Sequence, residues 1–301
     1  MASQKTRIGI ASMVTFLLYV TYVVLACLGM YTGDLKLENG EALLEEYDMM
    51  FFPNFKTYSA LALVAFVANF IWMLYSLSCM CRQGDATTIF SVKFFVAFCL
   101  NICFLIGANF AWWKDQRVNT FILLIFQMIF MVLAFGIQSY DLGDYMLHNE
   151  KNDDNRCDIW CQRFIVQNTL LFVLVVCTYF FIGPVSVFLH FELGASDFSV
   201  SLGMLIMMGV ATLVWFVIES FPLRNYTEYT FSAYLVTIFY VSGIVAKVWD
   251  EDKIVGGFAV FFLVATCIIF LIRCFMLAYR SSKRGSYENI TYSAKTQTVN
   301  A

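Results

Sequence analysis

The chain has 301 residues, of which 60% are hydrophobic and only 14% charged, where a soluble domain carries about 25% charged residues. Its 19 Lys and Arg against 22 Asp and Glu give a net charge of −3 with no basic face, which excludes nucleic acid as a partner. The apolar runs consume nearly the whole length and leave no room for a soluble catalytic domain.

Those runs predict membrane-spanning helices at about 8–31, 57–80, 89–113, 119–140, 164–190, 197–219, 228–249 and 254–279. Each is about 20 residues or longer, the length that crosses a hydrocarbon core of roughly 30 Å. The fold class is therefore all-α: a polytopic membrane bundle of about eight transmembrane helices over 1–280, then a tail, 281–301, that reads as cytosolic and disordered. The first run follows Lys5 and Arg7 and outlasts the 7–15-residue core of a signal peptide. Ala26-Cys27-Leu28 is also a poor cleavage site, so the run reads as a retained signal anchor.

Lys and Arg set orientation. With the N-terminus inside, the inner segments hold Lys5, Arg7, Arg82, Lys151, Arg156, Arg163, Arg224, Arg280, Lys283, Arg284 and Lys295. The outer segments hold only Lys36, Lys56, Lys114, Arg117, Lys247 and Lys253. Both termini are thus expected in the cytosol, and the acidic loop 32–56 on the outer face. The sequons at Asn225 and Asn289 fall on the inner side, where glycan is not added. Most of the ten cysteines lie in or beside the spans and loop 32–56 has none, against a disulfide-stapled ectodomain.

An internal echo runs through the chain. Trp72 and Arg82 precede a helix ending at Trp113-Lys114-Asp115; Trp215 and Arg224 precede one ending at Trp249-Asp250-Glu251. The spacing suggests a 4+4 parallel repeat, 1–141 and 164–280, related by an axis along the membrane normal. The competing account is that Trp and charge gather at interfaces.

Polar groups inside spans are the functional candidates, because lipid offers them no partners. Asn101 and Asn109 share a face of the third helix, Asn69 lies in the second and Gln127 in the fourth. They are read either as the lining of a polar cavity for a ligand or as interhelical hydrogen bonds, each about 0.6 kcal/mol. Glu219, near the inner end of the sixth helix, is read as a proton relay or as a surface partner of Arg224. Lys247 is expected to pair with Asp250 or Glu251 at the outer interface. Gly183-Pro184 marks a kink or a close approach in the fifth helix.

The inner segment 141–163 holds His148, Cys157 and Cys161, too few ligands for a structural zinc site. No metal or cofactor is expected. Cys79, Cys81 and Cys274 lie at the inner interface as candidate S-palmitoylation sites. The tail carries Tyr287-Glu288-Asn289-Ile290, in which Tyr287 and Ile290 match a Tyr-x-x-apolar sorting signal for a clathrin adaptor. The same residues match a phosphotyrosine site for an SH2 domain, and either would place the chain in the plasma membrane and endosomes. No catalytic grouping is present, so an enzyme is not expected.

From Asn101 through Trp112-Trp113-Lys114-Asp115, and in Trp215-Phe216-Val217-Ile218-Glu219, Tyr234-Leu235-Val236 and Ser242-Gly243-Ile244, the chain resembles a set of multi-span animal membrane proteins. These are distantly similar to the tryptophan-rich sensory/translocator (TspO) family. That family has five helices and binds porphyrins and sterols. This chain has eight apolar runs and, of the family's Trp-Pro pattern, keeps only Pro53, so the ligand type does not carry over.

The expected function is binding or transport of a small molecule or ion through a polar cavity lined by Asn101, Asn109 and Gln127, with Glu219 as a proton-coupling group. The alternative is a receptor or scaffold acting through its tail.

Overall fold

The computed structural model describes residues 2–31, 49–50, 52–81, 89–114, 116–148, 156–224, 226–249 and 251–299. Among them there are no strands and eight helices, seven of them long and apolar enough to cross a membrane. They are α1 (Ala2–Tyr31), α2 (Phe55–Cys81), α3 (Val92–Trp113), α4 (Arg117–His148), α5, α6 (Asp197–Ser220), α7 (Ser232–Val248) and α8 (Lys253–Val299). The rod α5 joins Arg156–Cys161, a π-helical segment Gln162–Gln167, Asn168–Val187 and a second π-helical segment Phe188–Glu192.

The starts of these helices are written into the sequence. A helix leaves its first N–H groups without partners, and a short polar side chain at the cap accepts from them. Asn54 Oδ1 accepts from Thr57 N at 2.9 Å before α2, and Ser91 Oγ from Phe94 N at 3.2 Å before α3. Ser196 Oγ takes Ser199 N before α6, and Asp252 Oδ1 takes Ile254 N and Val255 N before α8. Gly194, at φ 67°, closes the turn after α5 in the left-handed conformation that glycine adopts freely.

One difference from the sequence reading has a physical cause. The inner segment expected at 141–163 is helical at both ends: α4 runs on to His148 and α5 begins at Arg156. Gln162 of that segment turns inward, and Gln138 of α4 donates to its Oε1 at 3.0 Å between two fully buried side chains. The Gly183-Pro184 pair lies inside continuous helix, and a Cβ on Gly183 would sit 2.9 Å from Phe52 Cε1. Of the two readings of this pair, a kink or a close approach, the contact with Phe52 fits the close approach.

The two largest core clusters share α5. One gathers Trp72, Phe90, Phe94, Phe95 and Phe98 with Val166, Leu170 and Leu171. The other gathers Val176, Tyr179, Met204, Leu205, Tyr240, Val241 and Ile244 with Val255 and Ala259. Helix α5 packs against α2, α4, α6 and α7; α3 packs with α4, α7 with α8, and α8 with α6.

Helix α7 is the shortest of the eight helices. Its 17 residues cover roughly 25 Å at 1.5 Å per residue, short of the core thickness. It is buried on most sides, including Tyr234, Val236, Tyr240, Val241, Ile244 and Val248. The turn 221–231 precedes it, and its non-helical backbone is satisfied by protein groups. The carbonyls of Tyr226, Thr227, Glu228 and Tyr229 all accept from side chains of α5 or α8. The start of α7 is capped from a distance, because Asn168 Oδ1 of α5 accepts from Phe231 N and Ser232 N.

Candidate functional site

The wall of the site is built by four helices. Helix α4 brings Met128, Val132, Phe135, Gly136, Ser139 and Tyr140; α5 brings residues from Leu171 to Ile182; α6 brings Met208, Ala211, Thr212 and Trp215. Helix α7 adds Ala233, Tyr234 and Thr237, and the 221–231 turn adds Leu223 and Tyr226. They enclose a cavity of about 570 Å³ whose lining holds no charged side chain.

Its polarity is graded along the helix axes. Toward the 221–231 turn the lining carries Ser139, Tyr140, Trp215, Tyr226 and Tyr234; at the other end it carries Met128, Ile182 and Met208. The threonines midway are occupied within their own helices: Thr178 donates to Leu174 O, Thr212 to Met208 O and Thr237 to Ala233 O. Tyr179 and Thr237 share a further hydrogen bond. The indole N–H of Trp215 is different, being buried with no acceptor.

Tyr226 is set by three contacts. Gln167 Nε2 of the π segment donates to its carbonyl at 2.6 Å, its ring stacks on Tyr140 at 6.0 Å, and it fills the place a Cβ on Gly143 would take. Arg163 lies over the rings of Trp160 and Tyr229, at 5.2 and 4.3 Å from their centroids, at the same end of the bundle.

Behind Tyr234 lies a buried charged cluster. Glu219 Oε1 accepts from Arg273 Nη2 at 3.0 Å, and both side chains are 0% exposed. Thr230 donates to the same oxygen, and Tyr234 donates its hydroxyl to Oε2 at 2.6 Å. Arg273 Nη2 also reaches Thr227 O at 2.9 Å and Glu228 O at 3.0 Å, which ties α8 to the turn. Glu219 is therefore neither at a surface nor paired with Arg224, which is exposed. Its partner lies 54 residues away on α8.

The predicted cavity amides lie elsewhere. Gln127 donates to Asn101 Oδ1 at 2.8 Å between α4 and α3, with both side chains buried. Asn69 accepts from Trp72 Nε1 at 2.9 Å within α2, and Asn109 stands beside the Tyr22 hydroxyl of α1. None of the three helical pairs touches the cavity described above. Of the five predicted residues only Glu219 reaches it, through Tyr234.

The interface residues are also placed. Lys247 donates to Met49 O at 2.9 Å. Cys79 is buried in the first core cluster and Cys274 is exposed. The side chains of Cys81, Tyr287 and Ile290 lie outside the described residues. Among the described residues no cluster of His, Cys, Asp and Glu could hold a metal ion.

Sequence reasoning missed the cavity wall. Thr212 and Thr237 carry no signal in a string of apolar residues, Trp215 stood out only as a landmark of the internal echo and of the family resemblance, and Arg273 signals itself only as a second ionisable group inside a span. In comparisons with known proteins, no family model, no curated protein and no solved structure matches the chain.

Proposed function

We propose that this multi-pass membrane protein binds a small organic molecule in the cavity between α4, α5, α6 and α7, and that transport, where it occurs, passes through that space. The observation that supports this reading is the cavity itself. Its volume, about 570 Å³, lies within the 300–1,000 Å³ of small-molecule sites, which are mostly apolar with a few placed polar groups. The uncharged wall favours an organic ligand over an ion, since an ion leaving water needs charge or several oxygen ligands in compensation.

The Glu219 cluster supports the site from behind. It fixes the Tyr234 hydroxyl and, through Arg273, the turn that carries Tyr226. A proton-coupling role for Glu219 adds a separate requirement, that its titration be linked to flux.

The test uses purified protein in proteoliposomes, with Thr212→Trp to fill the cavity and Glu219→Gln to remove the titratable group. A panel of ions, amino acids and lipophilic compounds is screened for binding by thermal shift and for flux under a pH gradient. Binding of a lipophilic compound to wild type, lost in Thr212→Trp, supports the site. Binding that Thr212→Trp leaves unchanged overturns it. Flux that survives Glu219→Gln overturns proton coupling while leaving the site in place.

A further inference from the structure

We infer that the cavity is loaded sideways from the bilayer, through a mouth between α4 and α6, and that its occupant is a neutral lipid with a hydroxyl or carbonyl head. This rests on the cavity being a binding site, as proposed above.

The mouth is visible in the exposure of the wall. Val132, Gly136 and Tyr140 recur every four residues and so share one stripe of α4. They line the cavity from one side, yet Val132 is 51% and Tyr140 59% exposed, and Gly136 is exposed as well. A Cβ on Gly136 would meet nothing within 4 Å. Across the gap Ala211 of α6 both lines the cavity and is exposed. Helices α4 and α6 do not pack closely against each other; the rings of Phe135 and Trp215 meet at 5.9 Å.

The position of this mouth selects the source of the ligand. It lies along the flank of a span, Val118–Met146, rather than at its end. A flank of that kind faces hydrocarbon, where water-soluble compounds are scarce and lipids are the solvent. The gradient of polarity selects the orientation. A lipid from the leaflet beside the 221–231 turn would enter with its polar end toward Trp215, Tyr226 and Tyr234 and its hydrocarbon toward Met128, Ile182 and Met208.

The chemistry of the wall selects the head. A phosphate or carboxylate would enter without a cation among the lining residues, and burying an unpaired charge is costly. A hydroxyl or carbonyl oxygen needs only a neutral hydrogen-bonding partner, and Tyr140 and Tyr226 bring phenol side chains to the wall at that end.

The full chain, reconstituted in vesicles, is exposed to photoactivatable monoacylglycerol, to a photoactivatable fatty acid and to a water-soluble photoprobe, and the labelled residues are mapped. Gly136→Trp closes the mouth from α4, and Ala211→Phe closes it from α6 if the first variant fails to fold. The expected result is labelling by the monoacylglycerol within 128–140 and 208–215, lost in a closed-mouth variant whose melting temperature is unchanged. Equal labelling by the fatty acid overturns the neutral-head assignment. Labelling that a closed mouth leaves intact overturns lateral entry but spares the site. No cavity labelling by any probe overturns this inference and counts against the cavity as a site, which Thr212→Trp then judges independently.

Discussion

Tyr234 joins two parts of the molecule: the residue stands in the cavity wall while its hydroxyl donates to Glu219 Oε2 at 2.6 Å. The Glu219 carboxylate is held in turn by Arg273, whose guanidinium grips the carbonyls of Thr227 and Glu228. Any ligand that moves the Tyr234 ring therefore pulls on the turn 221–231.

Tyr234→Phe tests this link. The variant keeps the ring and removes one hydrogen bond to a charged group, worth about 1.5–3 kcal/mol. Chemical denaturation in detergent should show a loss in that range. Ligand thermal shifts should persist, because the residue still stands in the cavity wall.

Arg273→Ala and Glu219→Ala each leave a buried charge without its partner. The expected loss is about 3–5 kcal/mol for each. A double replacement by apolar residues, Glu219→Met with Arg273→Met, should recover much of that loss, since it leaves neither charge unpaired. A double variant as unstable as the sum of the two singles would show that the ion pair is not what couples α6 to α8.

Gly143→Val should be poorly tolerated. A Cβ there would stand 2.4 Å from the Tyr226 ring, and overpacking of this kind costs about 1–3 kcal/mol. Pairing it with Tyr226→Ala should relieve the clash, which melting curves of the single and double variants will show.

Asn101→Leu and Gln127→Leu should leave ligand binding unchanged. The two side chains bond to each other away from the cavity, and such a bond in a membrane averages about 0.6 kcal/mol. A large loss of binding in either variant, with stability intact, would return these amides to the site.

The spans were legible because lipid imposes a simple rule: a span needs a long apolar run. Their exact starts came from the structure, where Asn54, Ser91, Ser196 and Asp252 accept from the first free N–H groups. The extension of α4 to His148 was not legible, since Gln138 and Gln162 find each other only when α4 and α5 pack. Glu219 stood out as a carboxylate inside a span. Its partner did not, because pairing residue 219 with 273 is a decision of packing over 54 positions.

The sequence by itself determined the bilayer as solvent, the all-helical class and the approximate spans, because each follows from the hydropathy of contiguous residues. Tertiary structure alone decided which polar groups pair with one another and which face open space. Asn101 and Gln127 satisfy each other, whereas Trp215, Tyr226 and Tyr234 converge on a cavity. The physical reason is that a polar group inside a span has no water to turn to, and the partner it finds commonly lies on another helix whose place no local pattern records.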